Sequence, residues 1–389
     1  MPILKSNSSL IILEDLNRLT QSEYNVLNFV QSISINASTK RLNQKYIGDK
    51  RINQSQFVKP EIELSISYLN RIDFYNELLF GFSIISSPSV KKSFANNLIN
   101  NFSTAGAFIL MSDIEGKDLF YQIKNEDYNI DMVAISFGDL FLKTYSISYR
   151  VGGMPIVNCS FLSSEFSASK LIFDSSFKYK TWDNKYKTLN TSFLDQFEFL
   201  TNGTVGENVV LHMKDFSLQS SASNSLKVGP EINSLLDGLI QSIDISIDIN
   251  RNDYYFFEGK NIPSLRKILM PITCNLKIEG ISKNFKTGDL ETLFSEDNFF
   301  DFTISLGKEI QGLYDYCKLY FTKVKINNFS YSIDLQGFLN YTVDCIVLID
   351  DEDGFKINLL SNKPDFIRFI YSSDNFKLSD EDENTLVAL

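Results

Sequence analysis

The chain has 389 residues and a formal charge of −11, from 48 acidic and 37 basic side chains, with a single histidine. That balance argues against a groove built to grip nucleic acid, because phosphate binding needs Lys and Arg to displace counterions. It suits a surface to which nucleic acid does not stick, and no stretch approaches the roughly 20 apolar residues of a membrane helix.

Phe (33) and Tyr (18) are abundant while Gly (18) and Pro (8) are sparse, a mixture that favours sheet over helix, and the length favours two or more domains. The N-terminal stretch MPILKSNSSLIILEDLNRL lacks a basic region followed by an apolar one, so it reads as a poor signal peptide.

The first strongly patterned element is VQSISIN at 30–36, where apolar and small polar residues alternate as they do in a strand with one dry and one wet face. A loop over 36–58 follows, with Lys45, Tyr46 and Arg51 among its basic and aromatic residues. Pro60 then opens EIELSISYL, in which Ile62, Leu64, Ile66 and Tyr68 oppose Glu61, Glu63, Ser65 and Ser67. Over 89–102 Val90, Phe94, Leu98 and Phe102 recur every four residues behind Ser89 as an N-cap, which predicts a short helix. At 145–150 Tyr145, Ile147 and Tyr149 alternate with Ser146, Ser148 and Arg150.

The second half returns to the same vocabulary. QSIDISIDIN at 241–250 sets Ile243, Ile245, Ile247 and Ile249 against Ser242, Asp244, Ser246 and Asp248. A loop over 250–270 carries Tyr254, Tyr255, Phe256 and Arg266, and Pro271 opens ITCNLKIEG, whose wet side is Thr273, Asn275, Lys277 and Glu279. Gln31-Ser32-Ile33 matches Gln241-Ser242-Ile243 at an offset of 210, and YSIS at 145–148 matches YSID at 331–334 at an offset of 186. Cys159 falls on Cys345 at that second offset, and the 24-residue difference implies an insertion in the first copy.

The organisation expected is therefore mainly β: two tandem β-sandwich domains at 1–170 and 230–350, each with a short flanking helix or a long loop. Residues 171–229 would connect them with extra strands, and 351–389 would form an acidic extension.

Catalytic patterns are weak. His212 stands alone in VVLHMKDF, which leaves no second histidine for a metal pair and reads as a packed strand residue. No Walker lysine or GxGxxG occurs, and DDEDG at 350–354 has Ile349 where a calcium loop needs an acidic or amide residue, so a solvated Asp-Gly hairpin turn is expected. Cys159, Cys274, Cys317 and Cys345 lack CxxC spacing and read as reduced, buried thiols. No enzyme activity, metal or cofactor is expected.

Ordinary outer faces of a β-sandwich explain the alternation, as would faces that share one lumen. The paired amphipathic strands, the short helix, the stretch GAFILMSDIEGKDL at 106–119 and the hairpin YSIS…GGMPIV at 145–157 resemble the tail tube proteins of long-tailed bacteriophages. The second copy keeps YSID and Gly337 but lacks the Gly-Gly and Pro.

That resemblance implies a ring of six tube domains, here three chains, whose inner wall is a continuous β-barrel around the DNA. It implies a virion protein assembled in the host cytoplasm, with further copies of itself and the tape measure, terminator and distal tail proteins as partners. Ser32, Ser34, Glu61, Glu63, Ser65, Ser242, Asp244, Ser246, Asp248, Thr273, Asn275, Lys277 and Glu279 would line a hydrated, negative channel. Lys45, Tyr46, Arg51, Tyr254, Tyr255, Phe256 and Arg266 would reach the neighbouring ring. A baseplate hub or distal tail protein is the nearest alternative. A carbohydrate- or receptor-binding β-sandwich, with Tyr179, Trp182 and Tyr186 as its aromatic cluster, is another.

Overall fold

Strict period-two alternation makes strands, and strands dominate the computed structural model. It describes residues 9–15, 24–27, 29–38, 41–44, 54–57, 61–70, 74, 76–77, 80–82, 93–95, 105–112, 132–163, 165–170, 172–173, 177–180, 185–188, 216–222, 239–254, 265–282, 299–310, 313–333, 338–350 and 354–360.

The strands of the first half are β1 (Ser9–Asp15), β2 (Tyr24–Val26), β3 (Val30–Ser38), β4 (Arg41–Gln44), β5 (Gln54–Phe57), β6 (Glu61–Leu69), β7 (Ala105–Ser112), β8 (Met132–Arg150), β9 (Ile156–Ser163) and β10 (Glu165–Lys170). Three short strands follow as a separate sheet: β11 (Ile172–Phe173), β12 (Phe177–Lys180) and β13 (Tyr186–Thr188). The second half comprises β14 (Phe216–Ala222), β15 (Leu239–Asp248), β16 (Arg251–Tyr254), β17 (Leu265–Ile268), β18 (Ile272–Ser282), β19 (Phe300–Ile310), β20 (Leu313–Ile333), β21 (Leu339–Ile349) and β22 (Phe355–Leu360).

Eight strands form one antiparallel run in the order β3-β6-β9-β8-β15-β18-β21-β20. β8 and β20 are long enough to serve twice. The N-terminal part of β8 pairs with β7 and β10, and the N-terminal part of β20 pairs with β19 and β22. β1 lies on β7 as β14 lies on β19.

The same six pairings thus occur in each half, and so do three bulges. These fall at Val30/Ser32 and Ile240/Ser242, at Ala105/Ala107 and Phe300/Phe302, and at Leu142/Thr144 and Ile326/Asn328. The first bulge pair keeps the sequence offset of 210. The last gives 184 for β8 and β20, in place of the 186 read from YSIS and YSID. Cys159 lies opposite Ile66 and Tyr145, and the matching place between Ile278 and Phe329 is held by Val343, not Cys345. A slip of two residues keeps every side chain on its face, so sequence pattern cannot detect it.

The dry faces meet in one apolar cluster. Ile62, Leu64 and Ile66 from β6, Ile243, Ile245 and Ile247 from β15, and Val343 and Val347 from β21 are all buried in it. Burying each such side chain stabilises the fold by about 1.5–3 kcal/mol before entropy is counted. Phe94 ties the halves together: its ring stacks on Phe82 at 4.2 Å and lies 5.6 Å from Tyr145 and 4.9 Å from Phe355 of β22.

Of the helix expected over 89–102, only Ser93, Phe94 and Ala95 are described, and Phe94 and Ala95 form a turn. The DDEDG segment does not close a hairpin, because β22 pairs with β20 instead of β21. Its glycine turns the chain from one pairing to another: Gly354 is buried at φ +106°, and its N–H donates to Thr322 Oγ1 at 2.7 Å. Cys159, Cys274 and Cys345 are buried free thiols, and burial pushes Cys345 up to about 12. His212, the side chain of Cys317 and Trp182 lie outside the described residues.

Candidate inner wall and its open edges

Because β-strand side chains alternate, the eight-stranded run has a second face opposite the core. Glu61, Glu63 and Ser65 on β6 and Asp244 and Ser246 on β15 stand half-buried on it. Asp248, Asn275 and Lys277 are exposed, Thr273 and Glu279 half-buried, and Ser32 and Ser34 exposed on the outermost strand, β3. Register brings the expected wall residues onto one surface. Ser34 lies opposite Ser65, Asp244 opposite Lys277, Ser246 opposite Asn275, and Asp248 opposite Thr273.

The electrostatics of this face differ from a uniformly acidic wall. Asp244, Lys277 and Asp344 form one cross-strand row, which sets the ammonium between two carboxylates. Lys277 Nζ also lies 2.6 Å from Glu279 Oε1, and Ser242 Oγ donates to Glu279 Oε2 at 2.9 Å. The Lys277 bond holds the Glu279 carboxyl below its usual range and raises the lysine in return. Ser242 is buried, against the expectation of an open hydroxyl.

On β8 Lys143 reaches Glu63 at 3.3 Å, and Thr144 Oγ1 and Ser160 Oγ share a hydrogen bond of 2.7 Å. Arg150 and Lys325 project to the same side. So do the apolar Ile156 and Leu348, both substantially exposed. The face is polar and charge-paired, with a modest carboxylate excess.

Rows on this face are not level. One that begins at Ser32 passes Ser67, Asn158 and Ser146 and arrives at Ser246, four residues beyond Ser242, the counterpart of Ser32. The matching row of the second half runs Ser242, Glu279, Thr342, Ser330.

Both ends of the run are open among the described residues: β3 pairs only with β6, and the C-terminal part of β20 only with β21. Ile35 is 39% exposed and Ile333 75% exposed, although both stand on the side that is dry elsewhere in the run.

The loops between the paired strands are hairpins, β4·β5 and β16·β17. Arg251 and Arg266 of the second place their guanidinium carbons 5.2 Å and 4.7 Å from the centre of the Phe141 ring, which anchors the hairpin to β8. Burial, then the charge of Arg266, lowers Arg251 to about 10. Lys45, Tyr46, Arg51, Tyr255, Phe256 and the Tyr254 side chain lie outside the described residues.

Sequence reasoning passed over a buried carboxylate. Glu77 Oε1 accepts from Tyr68 Oη at 2.8 Å, Asn70 Nδ2 at 2.8 Å and Tyr145 Oη at 3.1 Å. Burial raises it to about 7 from 4.5, against the pull of the three side-chain donors and a backbone hydrogen bond in the other direction. The only available signal was a glutamate beside aromatics in NRIDFYNELLF at 70–80.

Among the described residues no helix is long and apolar enough to cross a membrane, and no group of three His, Cys, Asp or Glu could hold a metal. No family model and no curated protein matches the chain. Solved structures are similar to part of it. One is a chain of the virion of a native gene transfer agent particle, with 14% identity over 38% of this chain and 97% of that one, at a TM-score of 0.22. A second is from the tail of an empty gene transfer agent particle, at 13% identity, 32% and 83% coverage and a TM-score of 0.19. A third is from the baseplate of the anti-feeding prophage, at 13%, 36% and 91% with a TM-score of 0.24.

Proposed function

We propose that the chain is a structural protein of a phage-like tail, with two copies of one tube domain. Three chains close into a ring, rings stack into a tube, and the charge-paired face becomes the wall of a channel for DNA. The observation that carries this reading is the eight-stranded run with one dry face, one wet face and two open edges of opposite sense. Closing it on itself removes both edges.

Geometry limits the number of chains. The rows shift by four residues over the four strands from β3 to β15, and a ring in which the second half repeats that shift has a total stagger equal to its strand number. With strands about 4.8 Å apart and residues about 3.3 Å apart, that sets a tilt of about 35° whatever the size. Two chains would give a backbone radius of about 15 Å and three about 22 Å. After side chains are subtracted, three is the smallest number that leaves room for a hydrated duplex. A wall of hydroxyls, amides and paired charges with a slight carboxylate excess lets DNA slide without being held. We assign the chain no catalytic step.

Negative-stain electron microscopy of the purified protein across concentration tests the proposal. Hollow stacked rings with threefold symmetry are the expected result, and compact monomers at every concentration overturn it. A single non-stacking ring would favour a tail hub, the second reading. One feature supports that alternative: by the bulge offset the counterpart of Phe141 is Lys325, so the two hairpins of a chain are not held alike.

A further inference from the structure

The chain contains one complete seam between its halves, β8 against β15. Its dry side sets an aromatic or branched residue of β8 opposite an isoleucine: Tyr145 faces Ile247, Ile147 faces Ile245 and Tyr149 faces Ile243. Backbone bonds from Ile249 N to Lys143 O, 2.8 Å, and from Val151 N to Gln241 O, 3.0 Å, continue the seam at both ends. β20 occupies the place of β8 in the second half, and β3 the place of β15 in the first.

We infer that β20 of one copy pairs antiparallel with β3 of the next in the register of the β8·β15 seam. This rests on the reading of the chain as ring-forming, and it names the residues that would meet. Carrying the seam over by the bulge offsets puts Phe329 opposite Ala37, Tyr331 opposite Ile35 and Ile333 opposite Ile33 on the dry side. On the wet side Ser330 meets Asn36 and Ser332 meets Ser34.

Three features of the free edges fit. Both dry sides end in exposed apolar side chains, Ile333 and Ile35, which the pairing covers. Phe329 and Tyr331 of β20 meet smaller residues of β3 and Ile333 meets Ile33, and the Tyr331–Ile35 pair is of the aromatic–branched kind that stabilises neighbouring strands. The wet pairs are small and neutral, so no like charges are opposed. A register two residues away would keep the faces but place Tyr331 opposite Ile33 or Ala37, and would change the stagger to six or two residues for that half. The shift of four would then no longer repeat around the ring.

Cysteine pairs read the register directly, because opposed strand residues bring their Cα atoms about 4.5–5.5 Å apart, within disulfide reach. The two edges of one chain lie at opposite ends of the run, so any bridge joins two copies. Chains carrying S332C with S34C should oxidise to covalent dimers and trimers at least fivefold more completely than chains carrying S332C with S32C or S332C with N36C. A higher yield from either control overturns the register. Rings in the microscope with no bridge from any of the three pairs overturn the seam and leave the ring reading standing. Absence of rings and bridges together overturns both.

Ile333→Lys is the companion variant, since an exposed position tolerates charge without unfolding the chain. It should abolish sedimenting assemblies while the circular dichroism spectrum and Tm stay unchanged. Assembly at wild-type concentration by this variant overturns the inference.

Discussion

Gly280 lies opposite Tyr341 across β18 and β21, and the tyrosine ring fills the space that a side chain at 280 would need: a Cβ there would stand 2.5 Å from the ring. In the first half the matching pair is Tyr68 and Val157, with the large residue on the other strand. One volume is filled from opposite sides in the two halves. Gly280→Ala should therefore lower stability by about 1–3 kcal/mol, and pairing it with Tyr341→Ala should give back part of that loss. Thermal denaturation of the three variants checks this.

Glu77 makes stability depend on pH in an unusual direction for a carboxylate. Its folded-state pKa, about 7, lies above the ordinary 4.5, so the folded protein holds the proton more tightly than the unfolded chain. The contribution is present in full below about pH 4.5 and is lost as pH rises through 7, an upper bound of about 3 kcal/mol. Glu77→Gln should flatten that part of the profile, read as urea midpoints between pH 5 and 8. An unchanged slope would assign the dependence to other groups.

Gly354 combines φ +106° with a Cβ position only 2.8 Å from the backbone at Ile349 Cα and Leu348 O. Backbone yields less readily than a ring, so Gly354→Ala should destabilise more than Gly280→Ala. Comparison of the two Tm values decides this ranking.

Removing the ring under the two arginines should loosen the β16·β17 hairpin. For Phe141→Leu the expected outcome is faster proteolytic cleavage within 251–268, with a cation–π loss of about 0.5–1 kcal/mol per arginine. The global Tm should change little.

Reversing charge on the proposed wall tests its passage role. Asp244→Lys breaks the alternation with Lys277 and Asp344, and Asp248→Lys adds a cation at an exposed site. Particles built from either variant should release DNA more slowly, with the difference shrinking at high salt.

Period-two alternation made the strands β3, β6, β15 and β18 legible, together with the faces they bury, because a strand's two faces see different solvents. The partner of each strand was far less legible. Cys159 and Cys345 matched in sequence yet occupy different rows, since slips by two leave the pattern intact. The carboxylates of the wall could be read one strand at a time. Their pairing with Lys143 and Lys277 depends on neighbours up to 80 residues away. Glu77 was hidden because its meaning lies in Tyr68, Asn70 and Tyr145, which only the folded chain gathers.

In the proposed ring, the four-residue drift of the rows would turn the wall from a stack of level hoops into a multi-start screw thread. Across each group of four strands a hydrogen-bonded row would climb about 11 Å along the axis of such a barrel, while the equivalent charges of successive domains stay level around it. A phosphate moving down the axis would meet Asp248, then the Asp244–Lys277–Asp344 row, and then Glu279, each at its own depth. The resistance it feels would be spread along the path as a gentle ripple, with no single collar where a moving duplex could stall.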